Sequence, residues 1–350
     1  MQADLPSPTR EDEQLDEARL SAYLAEHVPH LGGDLEVEQF HGGHANLTYA
    51  LTVGEREFVL RRPPLGPVAP RSHDMRREHK GLSALAPVYP YCPRPIHLCE
   101  NESVIGSVFF LMERSRGFVI RTAWPDALGD DPALRRRISE SLIDGLADLH
   151  RVDATAPALA ELGKPEGFVE RQVSGWLGRW EKAKTREIPA MEELGAWLQA
   201  RIPESSQVAV LHNDFKLDNA MYDLDDPGRL VAVFDWDMVT VGDPLVDLGT
   251  LLGYWTDPAD EIARGTGQAV SRLPGFLDRQ GLAERYAQRT GFDLDNLGFY
   301  ETFALFKTAV VIEQIYVRWV RGQTQDSRFE GMGAMVPLLA QAAQHVASRS

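Results

Sequence analysis

The stretch from Leu211 to Asp235 constrains this chain most, because it sets acidic and amide side chains at the ends of two short apolar runs. It reads Leu-His-Asn-Asp-Phe-Lys-Leu-Asp-Asn over 211–219 and Ala-Met-Tyr over 220–222. It then turns through 223–229 and returns as Leu-Val-Ala-Val-Phe over 230–234 before Asp235-Trp236-Asp237. Two apolar runs bounded by turn residues predict a hairpin. Asp214 and Asn219 stand at one end, and Asp235 follows the second strand. Three oxygen donors so spaced suit a hard cation, since magnesium takes one or two carboxylates and completes its shell with substrate phosphate and water. Asp and Asn are also ordinary turn residues, so the order of the surrounding motifs has to decide.

The rest of the composition narrows the classes. With 350 residues the chain has room for two domains or one domain in two parts, and 43% apolar with 25% charged residues is ordinary for a globular protein. A net charge of −16 argues against a nucleic-acid-binding surface. Cys92 and Cys99 signal neither a zinc quartet nor a disulfide framework, and free thiols are expected. No apolar run approaches the about 20 residues of a membrane span, and no basic start precedes an apolar stretch at the N-terminus. The expectation is a cytoplasmic protein with neither a nucleic-acid nor a membrane partner.

From the N-terminus, residues 1–11 read as a loose tail. Leu15, Ala18, Leu20 and Leu24 predict a helix ending before Pro29, so that 1–29 form a tail and helix. Residues 35–62 alternate as three antiparallel strands, with Gly54 in the last turn and His41-Gly42-Gly43-His44-Ala45-Asn46 joining the first two. A glycine-rich turn lets backbone N–H groups approach a phosphate. A helix is expected over 72–85, and Val108 to Glu113 is an apolar run of strand length.

The spacing His212-x-Asp214-x4-Asn219, followed by Asp235, resembles the catalytic loop and metal-binding Asp of the protein-kinase-like fold. With Asp235-Trp236-Asp237 it is most similar to the aminoglycoside phosphotransferase family. The tract Val59-Leu60-Arg61-Arg62-Pro63-Pro64, with Arg76-Arg77-Glu78, Ser103-Val104-Ile105-Gly106 and Met112-Glu113, narrows the likeness to the kinase-like domain fused to acyl-CoA dehydrogenases and its free-standing bacterial relatives. The resemblance implies an α+β, two-lobed fold with an antiparallel-sheet N-lobe (30–114) and a mostly helical C-lobe (115–350). It implies Asp214 as catalytic base, and Asn219 and Asp235 as ligands of Mg2+. Nucleotide-binding roles fall to Gly42, Gly43, Asn46, Arg61, Glu78, Met112 and Glu113. Arg61 stands about where the fold usually has Lys, with Arg62 as the alternative. The 108–113 run resembles an edge strand leading to the hinge, with Gly117 turning the chain out of it.

Past Asp131 helix signals dominate. Helices are expected from near Pro132 to Arg151, over 168–183 and 191–201, from about Asn296 to Val320, and over 329–346. His150 reads as a helix-end residue interacting with solvent or the dipole. Trp176, Trp180 and Trp197 read as packing residues. Asp243-Pro244 is a helix start; the resemblance makes Asp247 in its first turn an anchor for the catalytic loop, with His212 as a further support. Glu301, Lys307, Glu313, Tyr316 and Arg318 are the polar groups of the long helix that could meet an acceptor.

The expectation is therefore a small-molecule kinase transferring the γ-phosphate of ATP or GTP, with magnesium, to a hydroxyl of a small-molecule acceptor. A hydroxyacyl-CoA-like metabolite and an aminoglycoside are the alternative acceptors. A non-catalytic nucleotide-binding sensor or scaffold of the same fold is the second reading, and a metal-dependent hydrolase using His212 and Asp214 the third.

Overall fold

The computed structural model describes residues 5–28, 31, 33–41, 46–65, 73–205, 207–261, 264, 270–324 and 327–350. Gly42 and Gly43 lie outside them. In chain order the elements are α1 (Glu17–His27), β1 (Leu35–Phe40), β2 (Leu47–Val53), β3 (Arg56–Arg62), α2 (Met75–Leu85), β4 (Pro95–Cys99), β5 (Phe109–Glu113) and β6 (Phe118–Val119). Next come α3 (Pro132–His150), α4 (Pro157–Ala160), α5 (Phe168–Ala183), α6 (Pro189–Ala200), β7 (Ala209–Leu211), β8 (Ala220–Tyr222), β9 (Leu230–Val233) and β10 (Thr240–Gly242). The chain closes with α7 (Leu245–Tyr254), α8 (Arg279–Thr290), α9 (Leu297–Val320) and α10 (Met335–Ala347). It forms two compact units, Met1–Val119 with Asn219–Val239, and Ile120–Asp218 with Thr240–Ser350.

In the first unit the sheet runs β1-β2-β3-β5-β4, every described pair antiparallel. Gly54 closes the β2–β3 turn at φ 61°, the left-handed region that glycine enters without strain. One face of the sheet buries Tyr49, Leu51, Phe58, Leu60, Phe109 and Leu111 with Leu20 and Leu24 of α1. The 108–113 run is therefore not an edge strand. Phe109 to Met112 are buried without alternation, the signature of a strand covered on both faces, and β4 takes the edge. The described part of the expected tail, from Leu5, is tied down: Ser7 and Gln39 exchange backbone hydrogen bonds, and the Gln39 amide oxygen accepts from Arg10 N–H at 3.0 Å. α2 starts at Met75 under an Asp74 cap. Gly81 in α2 lies so close to Val239 that a Cβ would meet its Cγ1 at 2.3 Å. Gly117 stands at a bend between β5 and β6 and is needed for the same reason: a Cβ there would meet the Tyr222 carbonyl oxygen at 2.3 Å.

The second unit is helical. α3 begins under an Asp131 cap and buries Ile138, Leu142, Leu146 and Leu149. α7 lies against α9 because two glycines thin its surface: a Cβ on Gly249 would meet the Tyr300 backbone at 2.6 Å, and one on Gly253 the Ala304 Cβ at 2.9 Å. The Asp243–Pro244 start holds with a one-residue shift. Asp243 accepts from Leu245 N–H at 2.9 Å and from the Tyr300 hydroxyl at 2.6 Å. The expected terminal helix is split, with tight 3-10 turns over Ser327–Ala334 before α10, because Gly331 and Gly333 lower the helix propensity there. Cys92 and Cys99 are free and buried.

Candidate active site

The β8–β9 hairpin sets Asn219 and Asp235 at one end of a ladder. Ala220 pairs with Val233, and Phe234 N–H donates to the Asn219 carbonyl at 2.8 Å, so the side chains flanking that bond come from adjacent chain positions on two strands. Asp235 then enters the left-handed region at φ 68°. Only three non-glycine residues among those described do this, His73, Asn213 and Asp235. Two of them fall in the motif read from the sequence. Such conformations cost free energy and cluster where function over-determines the backbone.

Of Arg61 and Arg62, it is Arg61 that pairs with Glu78. Its guanidinium is buried between two carboxylates, with Nη1 at 2.8 Å from Glu78 Oε1 and Nη2 at 3.0 Å from Asp235 Oδ1. Arg62 instead donates to the Ile105 carbonyl at 3.0 Å. Burial pushes the Glu78 carboxyl up; Arg61 opposes this, and Asp235 and Asp237 add to it, leaving Glu78 at about 7. The same burial disfavours the Arg61 charge, but Glu78 and Asp235 outweigh it and raise its affinity for the proton. Asn46 is buried, its Oδ1 2.9 Å from His73 Nδ1, and its Nδ2 has no partner among the described residues. Met112 is buried in β5, and Glu113 is exposed with its N–H donated to the Arg94 carbonyl at 2.9 Å. Of the other arginines of this region, Arg76 pairs with Glu100, and Arg77 donates to the Val239 carbonyl at 3.1 Å.

In the second unit Asp214 sits on a loop held by Asp247. Asp247 Oδ2 accepts His212 N–H and Oδ1 accepts Asn213 N–H, each at 2.6 Å. His150 is fully enclosed and not at a solvated helix end. Its Nδ1 lies 2.6 Å from the Tyr286 hydroxyl and its Nε2 3.3 Å from Asp247 Oδ2. A hydroxyl donating to Nδ1 leaves Nε2–H to face the carboxylate. Burial alone would raise the Asp247 carboxyl, but His150 and the His212 N–H hold it below the usual carboxylate value. His212 Nδ1 in turn accepts Asp214 N–H at 3.2 Å. The loop is thus fixed by main-chain bonds at three successive residues.

The sequence reading missed Lys216. Its Nζ is 2.8 Å from Asp214 Oδ2 and lies over the Tyr254 ring at 4.9 Å. Burial works against its charge, but Asp214, Tyr254 and Asp218 more than compensate and raise its pKa. The signal was there, since a basic residue two positions after the loop Asp projects from the same turn. On α9, Glu301 is engaged by Arg264 and Arg279, and Glu313 is buried against Thr185 and Arg186.

Residues 36–297 match the phosphotransferase enzyme family. Acyl-CoA dehydrogenase family member 11 of Rattus norvegicus is 35% identical over 87% of this chain, and family member 10 of Mus musculus 31% over 98%. The matched parts are 39% and 32% of those proteins, so the chain spans a third to two-fifths of their length. A crystal structure from Ralstonia eutropha, of a protein classed as an aminoglycoside phosphotransferase, is 31% identical with a TM-score of 0.80, covering 96% of this chain and 99% of that one. An aminoglycoside phosphotransferase in ternary complex with AMP-PNP and hygromycin B shares the fold at TM-score 0.60 and 15% identity, covering 95% of this chain and 99% of that one. The α+β kinase-like architecture and the likeness to the domain joined to acyl-CoA dehydrogenases both stand as read from the sequence.

Proposed function

Because this chain belongs to the phosphotransferase enzyme family, we propose that it moves the γ-phosphoryl group of ATP or GTP to a hydroxyl of a small molecule. The observation that supports this reading is the β8–β9 ladder, whose last bond joins Asn219 to Phe234, one residue before Asp235, while the loop carrying Asp214 is held by its backbone. One carboxylate and one amide fit magnesium, which leaves room for phosphate and water in its shell. When bound there, magnesium neutralises phosphate charge. Asn219 and Asp235 would hold it, Asp235 with the carboxylate that faces Arg61 in the free protein.

Asp214 accepts the acceptor's hydroxyl proton as that oxygen bonds to the γ-phosphorus. The bond from the γ-phosphorus to the β–γ bridging oxygen breaks, and the nucleoside diphosphate leaves with that electron pair. Lys216 shares Asp214 in the free protein and turns its charge to the transferring group when nucleotide is present. Arg61, oriented by Glu78, and the Asn46 Nδ2 group serve the nucleotide phosphates. Asp247 and His212 keep Asp214 in place without touching the reacting atoms. Catalysis of this kind is mainly positioning and charge stabilisation. The test is phosphoryl transfer from ATP and from GTP to a panel of hydroxylated metabolites, by phosphorus NMR. Wild-type turnover lost in Asp214→Asn, with nucleotide binding kept, supports the reading; equal turnover in that variant overturns it.

A further inference from the structure

Lys307, midway along α9, is 9% exposed. Among the described residues its ammonium has no oxygen partner. It lies over two aromatic rings, 5.6 Å from the centroid of Trp176 and 5.7 Å from that of Phe303. Ring faces attract a cation but offer no hydrogen-bond acceptor of carboxylate strength. A buried ammonium without such an acceptor is expensive to keep, and burial indeed lowers its proton affinity despite Asp214 and Asp247. Asp247 and Asp214 both favour its charge, and Thr308, the next residue of α9, bonds to Tyr254, whose ring lies under the Lys216 ammonium that is paired with Asp214.

Two features extend the site. A second cation, Arg179, lies over the same Trp176 ring at 4.4 Å and is exposed. On either side of Trp176 in α5 stand Gly175 and Gly178, and a Cβ on Gly178 would meet nothing within 4 Å. Glycine inside a helix weakens it, and here it leaves the surface beside Trp176 bare. In a chain of net charge −16, this is a local cationic face.

We propose that Lys307, backed by Trp176 and supported by Arg179, receives an oxyanion of the acceptor, a carboxylate or a phosphate, while the acceptor's hydroxyl meets Asp214. This rests on the phosphotransfer reading and narrows it. The acceptor is a hydroxylated anion and not a polycationic aminoglycoside. The role is one of positioning: Lys307 holds the acceptor and takes no proton.

Three matched pairs test it: lactate with lactamide, 3-hydroxybutyrate with its amide, and glycerol 3-phosphate with glycerol, beside kanamycin. Binding is measured with magnesium–AMP-PNP present and turnover with magnesium–ATP. The first two pairs probe a carboxylate and the third a phosphate. At least one anion is expected to bind about tenfold or more tighter than its neutral counterpart, in line with a hydrogen bond to a charged group. Lys307→Met should raise the KM for that anion about tenfold with little change in kcat, Lys307→Arg should recover part of it, and Arg179→Gln should raise it by less. Magnesium–AMP-PNP affinity should be unchanged in all three variants, which also reports their folding. The proposal falls if no anion binds, if a neutral partner or kanamycin binds as well, or if Lys307→Met leaves KM unchanged. Failure of the wild-type chain to bind magnesium–AMP-PNP would remove the phosphotransfer reading itself, and this inference with it.

Discussion

Glu78 in the first unit and Asp247 in the second are both almost fully buried, at 1% and 0% exposure, yet their surroundings treat the negative charge in opposite ways. Asp247 takes two short backbone N–H bonds and a third contact from His150. Glu78 shares one guanidinium with Asp235, and its Oε2 has no side-chain or backbone hydrogen-bond partner among the described residues. At Asp247 the His150 contact and the loop N–H groups outweigh burial; at Glu78 the shared guanidinium and one backbone bond from Trp236 do not outweigh burial and two nearby carboxylates. The first arrangement is suited to holding a loop still. The second leaves charge unbalanced where a cation and phosphates would restore it.

The largest effect should come from breaking the shared side of this contrast. Asp235→Ala is expected to lower phosphotransfer by about a thousandfold, the scale of losing a preorganised electrostatic group. It should also leave Arg61 wholly to Glu78, whose carboxyl then titrates at lower pH; a pH series with carboxyl-labelled NMR reads this shift. Next comes stability. Asp247→Ala strands two backbone N–H groups and His150, and should cost about 3–5 kcal/mol in urea unfolding. Glu78→Gln keeps Arg61 paired with Asp235 and should cost about 1–2 kcal/mol.

The pH dependence sharpens the comparison because its signs oppose. Glu78 is raised from 4.5 to about 7. Its contribution is therefore full below pH 4.5 and is lost as pH rises through about 7. Asp247 is lowered from 3.8, so its contribution is full above pH 3.8 and is lost as pH falls through its folded value. Denaturant midpoints across pH should lose their neutral-side slope in Glu78→Gln and their acid-side slope in Asp247→Asn. The smallest effect is expected from Arg61→Lys, which keeps the charge but loses the two-armed fork. It should lower kcat/KM by less than about tenfold, which corresponds to 1.4 kcal/mol.

Much of this arrangement was legible in advance, and the exceptions share a cause. The Asp214–Asn219–Asp235 spacing lies within one continuous stretch, and Asp247 follows a Pro helix start, so both could be read from local order. β4 was missed: Ile96 and Leu98 alternate with Pro95, His97 and Cys99, but two apolar positions beginning at a proline are a weak signal, and pairing with β5 makes it a strand. The segment before α1 looks like a tail because a single bridge and side-chain bonds to Gln39, 26 residues or more away, have no periodicity. His150 looks like a helix end until Tyr286 and Asp247 close over it. Lys216 was written in the motif but needed the turn's geometry to join Asp214.

The most direct measurement is calorimetric titration of AMP-PNP with and without magnesium into the wild-type chain, Asp214→Asn and Asp235→Asn. Magnesium should tighten nucleotide binding in the wild type and in Asp214→Asn, which alone of these two loses turnover while keeping the metal effect, and should do nothing in Asp235→Asn. A magnesium effect that survives in Asp235→Asn, or vanishes in Asp214→Asn, would contradict the division of labour between the two carboxylates.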